Sequence, residues 1–363
     1  MSVRELFRNI NSFLLSSLLK VKKSDKAFPK EPKKFLVIRQ HNQFGDMLAS
    51  VSLLRAIKEA YPSANTFLLA SPDNYFAIEK NPYVDEIFVF DKKMLLNIEY
   101  LKKIWKILRQ KYDVAVVPAT VAISNTSCLL ASLSDAEYKI GPASLNGKQN
   151  KLAKLFHGRI DLNWNKYPDA HVSDFILDIV RPFGIKTKNY NSCVLFDEED
   201  KKFSNDFLKK IKTNEENKVF GFHVGAAKPQ NRWSLQKYVE TITGLKQKNS
   251  FDIYFTGSKS DEIQIDFMRK HFPTAGYFLN NTIPQLASLI EQSDLFITND
   301  TGVMHVAGTT STPQISIFGP TNPFNWAPLG KEKFFLRKSE LINDVETTDV
   351  VSLAQYLIEN HDK

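Results

Sequence analysis

The sequence predicts an α/β protein made of two doubly wound, Rossmann-like halves, and three observations predict it. Short apolar runs alternate with segments of helical periodicity along most of the chain, the pattern of parallel sheets covered by helices on both faces. The alternation restarts after Phe183-Gly184, which places a junction near residues 184–192. With 363 residues, 43% hydrophobic and 24% charged, the chain has the length of two domains and an ordinary soluble composition.

The elements follow in order. Residues 1–34 hold nine Lys/Arg against three acidic residues, a net +6 of the total +8, so the body of the chain is near neutral. Charge confined to one end speaks against a basic nucleic-acid groove, and no nucleic-acid partner is expected. Val3, Leu6, Phe7, Ile10, Phe13, Leu14 and Leu18 share one arc of a helical wheel, opposite Arg4, Arg8, Ser12, Ser16 and Lys20. An amphipathic helix followed by a Lys cluster suits an anionic membrane surface, where each cation contributes roughly 1 kcal/mol. Packing of that helix on the protein itself or on a second copy is the alternative. A secretory signal is disfavoured, because Asn9–Leu19 is rich in polar residues and lacks an A-x-A-like cleavage site. No apolar run reaches the roughly 18 residues of a membrane-spanning helix. Cys128 and Cys193 show no paired spacing, which favours a reducing, cytoplasmic compartment over a disulfide framework.

In the first half, strands are expected at Phe35–Ile38, Thr66–Leu69, Glu86–Phe90 and Asp113–Val117, with helices at Met47–Ala60, 94–109 and 171–182. The charge-free stretch Val114–Ser134 reads as a strand, a loop and a short helix, since Pro118 and several Ser, Thr and Asn residues interrupt it. In the second half, strands are expected at Lys218–His223, Asp252–Phe255, Leu295–Thr298 and Gln314–Phe318. Helices are expected near 234–248, 261–271, 284–292 and 348–361. Thr282-Ile283-Pro284-Gln285 has the form of a capping box with Pro in the first turn.

Three segments carry chemistry. Arg39-Gln40-His41-Asn42-Gln43-Phe44-Gly45-Asp46 lies at the carboxyl end of the first strand, where open α/β sheets bind ligands. There Gly45 permits a tight backbone, and Asp46 is either a helix cap or a general base. Phe222-His223-Val224-Gly225-Ala226-Ala227 leaves the first strand of the second half through small residues that let backbone N–H groups approach a ligand. It runs on to Asn231-Arg232-Trp233-Ser234, in which Arg232 can pair with phosphate, Trp233 reads as packing and Ser234 as an N-cap. Thr298-Asn299-Asp300-Thr301-Gly302-Val303-Met304-His305 turns from a strand into a helix. It opens a 30-residue run, Thr301 to Gly330, without one charged Asp, Glu, Lys or Arg. N–H groups at such a helix start suit a diphosphate. P-loop, G-x-G-x-x-G, G-x-S-x-G and H-E-x-x-H motifs are absent, and the seven His residues show no metal-ligand spacing.

In this order, FLVIRQHNQFGDMLASVSLLRAIKEAYP, FGFHVGAAKPQNRWSLQKY, FDIYFTGSKSDE and SDLFITNDTGVMHVAGTTSTPQISIFGPTNP, with the nearby Trp326, resemble glycosyltransferase family 9, the heptosyltransferase-like enzymes of lipopolysaccharide core assembly. The resemblance implies a GT-B architecture, two Rossmann-like doubly wound domains facing a central cleft. After the basic segment 1–34, residues 35–185 would form the acceptor domain and 186–330 the nucleotide-sugar donor domain. Residues 331–363 would end in a helix packing back on the first domain. It further implies metal-independent, inverting transfer of a sugar from a nucleotide-diphosphate donor, ADP-heptose or similar, to a lipopolysaccharide or lipid-linked acceptor, with no cofactor. Carried over by motif, Asp46 would be the catalytic base, and Arg39, Gln43 and Gly45 would contact the acceptor. His223, Gly225, Ala226, Ala227, Arg232, Gly257, Asp300, Thr301, Gly302 and His305 would line the donor. His41 to Phe44 depart from the family's usual small residues before Gly-Asp. Alternatives are another GT-B enzyme such as a nucleotide-sugar epimerase, or a non-catalytic sugar-nucleotide-binding protein at a membrane.

Overall fold

The computed structural model describes residues 26–40 and 44–360. Most of the amphipathic segment expected over residues 1–34 therefore lies outside the described residues, as does Gln43. The chain forms two compact units that divide between Tyr190 and Asn191.

In the first unit, β1 (Lys34–Arg39) is buried from Phe35 to Arg39, as a central parallel strand covered on both faces requires. β2 (Asn65–Ala70) and β3 (Glu86–Val89) lie to one side of it. β4 (Val114–Val116) and β5 (Tyr138–Leu145) lie to the other, so the parallel order is β3-β2-β1-β4-β5. β6 (Lys148–Gln149) pairs antiparallel with β5, and β7 (Gly158–Leu162) pairs with it in parallel. This edge was not among the strands expected from the sequence. Gly141 is required by packing, since a Cβ there would stand 2.4 Å from the Phe156 ring.

The single helix expected at Met47–Ala60 is two, α1 (Phe44–Ala49) and α2 (Val51–Ala60). They break at Ser50, whose Oγ donates to the Asp46 carbonyl four residues back at 2.8 Å, a bond that competes with the helix ladder and bends it. α3 (Ile98–Leu108) and α4 (Asn125–Leu133) are capped by Asn97 and Ser124. The helix expected at 171–182 shrinks to α5 (Val172–Phe175) followed by tight turns through Phe183.

The second unit opens with α6 (Glu198–Ile211), a helix whose charge hid its apolar stripe Phe203, Phe207, Leu208, Ile211. β8 (Lys218–His223), α7 (Leu235–Lys246), β9 (Phe251–Gly257), α8 (Glu262–His271), β10 (Gly276–Leu279) and α9 (Ile283–Glu291) follow. The expected capping box of Thr282 and Gln285 is formed. β11 (Leu295–Asn299), α10 (Gly302–Ala307), β12 (Gln314–Ile317), α11 (Pro323–Trp326), β13 (Lys333–Leu336) and α12 (Thr347–Asn360) complete it. The sheet is wholly parallel in the order β10-β9-β8-β11-β12-β13, the Rossmann order.

One expectation is corrected here. Residues 331–363 were to pack back on the first domain. Instead β13 extends the second sheet along β12, and Val350, Ala354 and Leu357 of α12 are buried in the second unit's core with Phe220, Ile242 and Leu245. The apolar face of α12 completes the helical layer that α7 begins.

Each sheet reverses its winding at one place, between β1 and β4 in the first unit and between β8 and β11 in the second. Loops leaving the carboxyl ends of such a strand pair diverge to opposite faces and leave a crevice, the ordinary ligand site of these sheets.

Candidate active site

At the first switch point, Arg39 ends β1, Asp46 lies in the first turn of α1, and Thr120 follows β4. The Arg39 and Asp46 side chains are 2% and 0% exposed, and Arg39 Nη2 donates to Asp46 Oδ1 at 2.9 Å. Arg39 Nη2 also donates to Thr120 Oγ1 at 2.8 Å, and Nη1 to the Pro118 carbonyl at 3.3 Å. The Thr120 hydroxyl donates in turn to Asp46 Oδ1. Burial pushes the Arg39 guanidinium below its ordinary value, opposed by the charge of Asp46. Arg39 is therefore turned inward, where its contacts fix the Asp46 side chain. Asn74 Nδ2 holds the Arg39 carbonyl at 3.3 Å, and Ser127 Oγ accepts from Gln40 N at 3.1 Å. Gly45 falls within the first turn of α1, one residue before Asp46.

At the second switch point the organiser is Asn299, fully buried at the end of β11. Its Nδ2 donates to the carbonyls of Val224 and Gly225 at 3.1 and 3.2 Å. Its Oδ1 accepts from Trp233 N at 3.2 Å and from the Tyr238 hydroxyl at 3.0 Å. One amide thus ties the loop after β8, the entry to α7 and the end of β11 together. Asn231 adds to it by donating to the Asp300 carbonyl at 3.1 Å and to Asp300 Oδ2 at 2.8 Å. Trp233 is core, 1% exposed, with Nε1 on the Val345 carbonyl at 2.9 Å. Ser234 occupies the N-cap position of α7 without a side-chain capping bond.

The expected donor residues divide into two sets. Arg232, half-buried, donates from Nε to the Ala226 carbonyl at 2.7 Å, and its terminal nitrogens bond nothing among the described residues. Ala227 is exposed, while Asp300, Thr301, Gly302 and His305 are partly so. The His305 ring meets Trp326 edge-on with centroids 6.2 Å apart. Thr301 precedes α10 in extended conformation without a side-chain cap, and with the Met304 N–H on the Thr301 carbonyl at 3.2 Å the N–H groups of Gly302 and Val303 are left for another acceptor. Burial holds the Asp300 carboxyl above its ordinary value, opposed by Thr321 and Lys228. Burial therefore disfavours the charged form of Asp300.

The other set lies beneath the loop. His223 is 4% exposed, with Nδ1 at 2.9 Å from Thr256 Oγ1, and desolvation lowers its pKa below 6.5 against the pull of Asp261. It lies buried beneath the loop, and desolvation favours its neutral form. Gly225 and Ala226 are buried as well. A Cβ on Gly225 would meet Asp261 Oδ1 at 2.1 Å, and one on Gly257 would meet Ile265 at 3.0 Å. These glycines admit neighbouring side chains under the loop.

Thr120, the bridge from Asn231 to Asp300 and the pinning role of Asn299 were not read from the sequence, and Asp261, expected with Ser258 to face the nucleotide, is buried beneath Gly225. The available signal was a polar residue directly after an otherwise apolar strand, as in Leu295-Phe296-Ile297-Thr298-Asn299. Among the described residues no group of three or more His, Cys, Asp or Glu could hold a metal ion, and no helix is long and apolar enough to cross a membrane.

Comparison with known proteins bears on the family and the fold. The chain is 22% identical over 300 residues to lipopolysaccharide heptosyltransferase 3 of Escherichia coli K12, covering 78% of this chain and 82% of that one. Its fold matches a glycosyltransferase of family 9 from Veillonella parvula with a TM-score of 0.77 at 17% identity, covering 93% and 100% of the two chains. It also matches E. coli ADP-heptose LPS heptosyltransferase II with a TM-score of 0.72 at 19% identity, covering 90% and 98%. These relatives share the GT-B fold. The model of glycosyltransferase family 9 (heptosyltransferase) matches residues 101–353, well over half of the sequence, and the chain belongs to that family of glycosyltransferases.

Proposed function

We propose that the protein transfers a sugar, a heptose or a close relative, from a nucleoside-diphosphate donor to a lipopolysaccharide or other lipid-linked glycan acceptor, with inversion and without a metal. The observation that carries this is the buried carboxylate of Asp46 at the switch point of the first sheet, fixed by Arg39 and Thr120. In the proposed step the acceptor hydroxyl attacks the anomeric carbon from the face opposite the diphosphate. The new C–O bond forms as the bond to the diphosphate oxygen breaks, and the hydroxyl proton passes to Asp46. Charge growing on the leaving diphosphate is met by Arg232 and by N–H groups at Thr301 and Gly302, which are preorganised donors. α10 has six residues, so those local N–H groups matter more than a long helix dipole. The named substrates of the E. coli relatives support ADP-heptose and lipopolysaccharide as first choices.

A thermal-shift series with ADP, GDP and UDP comes first, because a ligand at 100 times its Kd stabilises by about 2.7 kcal/mol. Asp46→Asn is then assayed for transfer to a heptose-deficient lipopolysaccharide core. The expected result is a fall in kcat of roughly 10²- to 10⁴-fold with nucleotide affinity unchanged. Turnover retained by that variant, or indifference to all three nucleotides, defeats the proposal. Contact of residues 1–34 with an anionic membrane is tested by their deletion, which should weaken vesicle binding at low salt and spare transfer to a soluble acceptor.

A further inference from the structure

A second feature of the first unit is left unused by that chemistry. The buried side of α3 consists of Ile104 and Leu108, with Tyr100 and Ile107 half-buried. At 100° per residue the apolar arc runs on through Leu101, Trp105 and Ile98, covering roughly half the circumference, about twice what the core uses. Those three side chains are 42%, 51% and 68% exposed, and Leu96 in the preceding turn is 97% exposed. Scattered exposed leucines are ordinary, but a contiguous group on one face marks an interaction surface. Beside it an apolar groove of about 660 Å³ runs between α3 and α4, with Leu129 and Leu133 on its far wall.

The charges around this face are one-sided. Between Lys92 and Lys111 there are seven Lys/Arg and one acidic residue, Glu99, and Glu99 is already paired with Lys102 at 2.8 Å. Lys102, Lys106 and Lys103 occupy the arc next to the exposed apolar residues, and Arg109 lies over the Trp105 ring at 4.3 Å. The near-neutral body of the chain therefore hides a local basic collar.

We propose that α3 and the turn before it dock on an anionic lipid bilayer, with Leu96, Ile98 and Trp105 entering the headgroup–acyl boundary and the lysines resting on lipid phosphates. A protruding apolar ridge with Trp at its centre and lysines along its flank has the chemistry of that boundary. An acidic peptide would satisfy the lysines and leave Leu96 in water. α4 begins five residues after Thr120, so the docking face and the Asp46 cluster share the loop after β4. The proposal stands on α3 alone, independent of residues 1–34 and of the catalytic assignment.

The test uses the full chain and vesicles of phosphatidylcholine with and without phosphatidylglycerol. Binding should favour anionic vesicles and weaken with salt. The variant Leu96→Glu/Ile98→Glu/Trp105→Glu, altered only at exposed positions, should lose partitioning by about tenfold or more. Quenching of tryptophan emission by brominated lipid should largely vanish in Trp105→Phe. Undiminished partitioning of the triple variant overturns the proposal by assigning docking to residues 1–34. Quenching unchanged in Trp105→Phe overturns it too. So does a chain that ignores vesicles but self-associates through these residues, since the face would then belong to a second copy.

Discussion

Replacing Arg39 by Met separates two roles for the same cation. As an acceptor contact, Arg39 would affect KM and leave stability alone. In the structure it is spent on Asp46, Thr120 and the Pro118 carbonyl, and both members of the ion pair are within 2% of full burial. Removing one partner of such a pair leaves the other charge buried without compensation, which costs about 3–5 kcal/mol. For a unit of this size each kcal/mol lowers Tm by roughly 2–4 °C, so a fall of about 6–20 °C is expected. Asp46→Asn should cost less, because the amide oxygen still accepts from Arg39 and Thr120. The double variant Arg39→Met/Asp46→Asn should be more stable than Arg39→Met alone, since no charge is then left buried. Calorimetry of the four proteins with nucleotide absent, and kinetics with acceptor varied, measure the cycle. A Tm within about 1 °C of wild type for Arg39→Met, together with a raised acceptor KM and intact kcat, would show that Arg39 touches the acceptor and refute the positioning argument.

Other expectations concern the second unit. Asn299→Leu removes four hydrogen bonds from a buried pin, each contributing about 1 kcal/mol, and should lower denaturant stability by several kcal/mol and weaken nucleotide binding. Gly225→Ala forces a methyl group toward Asp261 Oδ1 and should reduce nucleotide affinity in titration calorimetry. Gly244→Ala, in the interior of α7 with Val351 Cγ2 at 3.7 Å as nearest neighbour, should stabilise by about 0.5–1 kcal/mol. His223 titrates below 6.5 in the fold, so it contributes stability that is present above that value and lost as pH falls through the folded pKa. His223→Gln should flatten this acid limb in Tm measured against pH. Asp300 has the opposite sign. Its folded pKa is raised, so its contribution is full below pH 3.8 and lost as pH rises through the folded value. The Tm difference between Asp300→Asn and wild type should therefore grow in the variant's favour from acid to neutral pH.

Much of this was legible because parallel strands buried on both faces are unbroken apolar runs. Lys218–His223 was found to the residue, and the strand, loop and short helix of 114–134 came out as expected. What escaped was where tertiary packing overrode a local signal. Gly141-Pro142 sits inside a strand because Phe156 needs the room, and the charged α6 shows too few apolar residues to stand out by composition. The four-residue β10 and β13 are too short to show a period. At the candidate site, Asp46, Arg232 and Asp300 were readable from motif positions. Their supports were not, because Thr120 lies 74 residues from Asp46 and Asn299 lies 66 from Trp233, and only the strand order brings them together.

The two switch points hold their loops by the same device with opposite electrostatics. Each uses a buried polar side chain at the carboxyl end of one strand to bind backbone or side chain at the end of its neighbour. The first employs a buried ion pair, Arg39 with Asp46, at the position of the proposed base. The second employs an uncharged amide, Asn299, beside a His223 whose desolvation favours the neutral ring and an Asp300 whose burial disfavours the charged carboxylate. That difference follows from the proposed ligands. A carboxylate pin beside a diphosphate would repel it, and a buried cation pin would hold the product after transfer. On the second scaffold Arg232 would be a charge offered to the proposed nucleotide, so affinity and release would be set by one half-buried guanidinium. Arg232→Lys should then keep part of the affinity and Arg232→Met should lose most of it, whereas Asn299→Asp should weaken nucleotide binding despite preserving shape. If Asn299→Asp binds ADP as tightly as wild type in titration calorimetry, charge at the pin is irrelevant and the electrostatic division between the two sites fails.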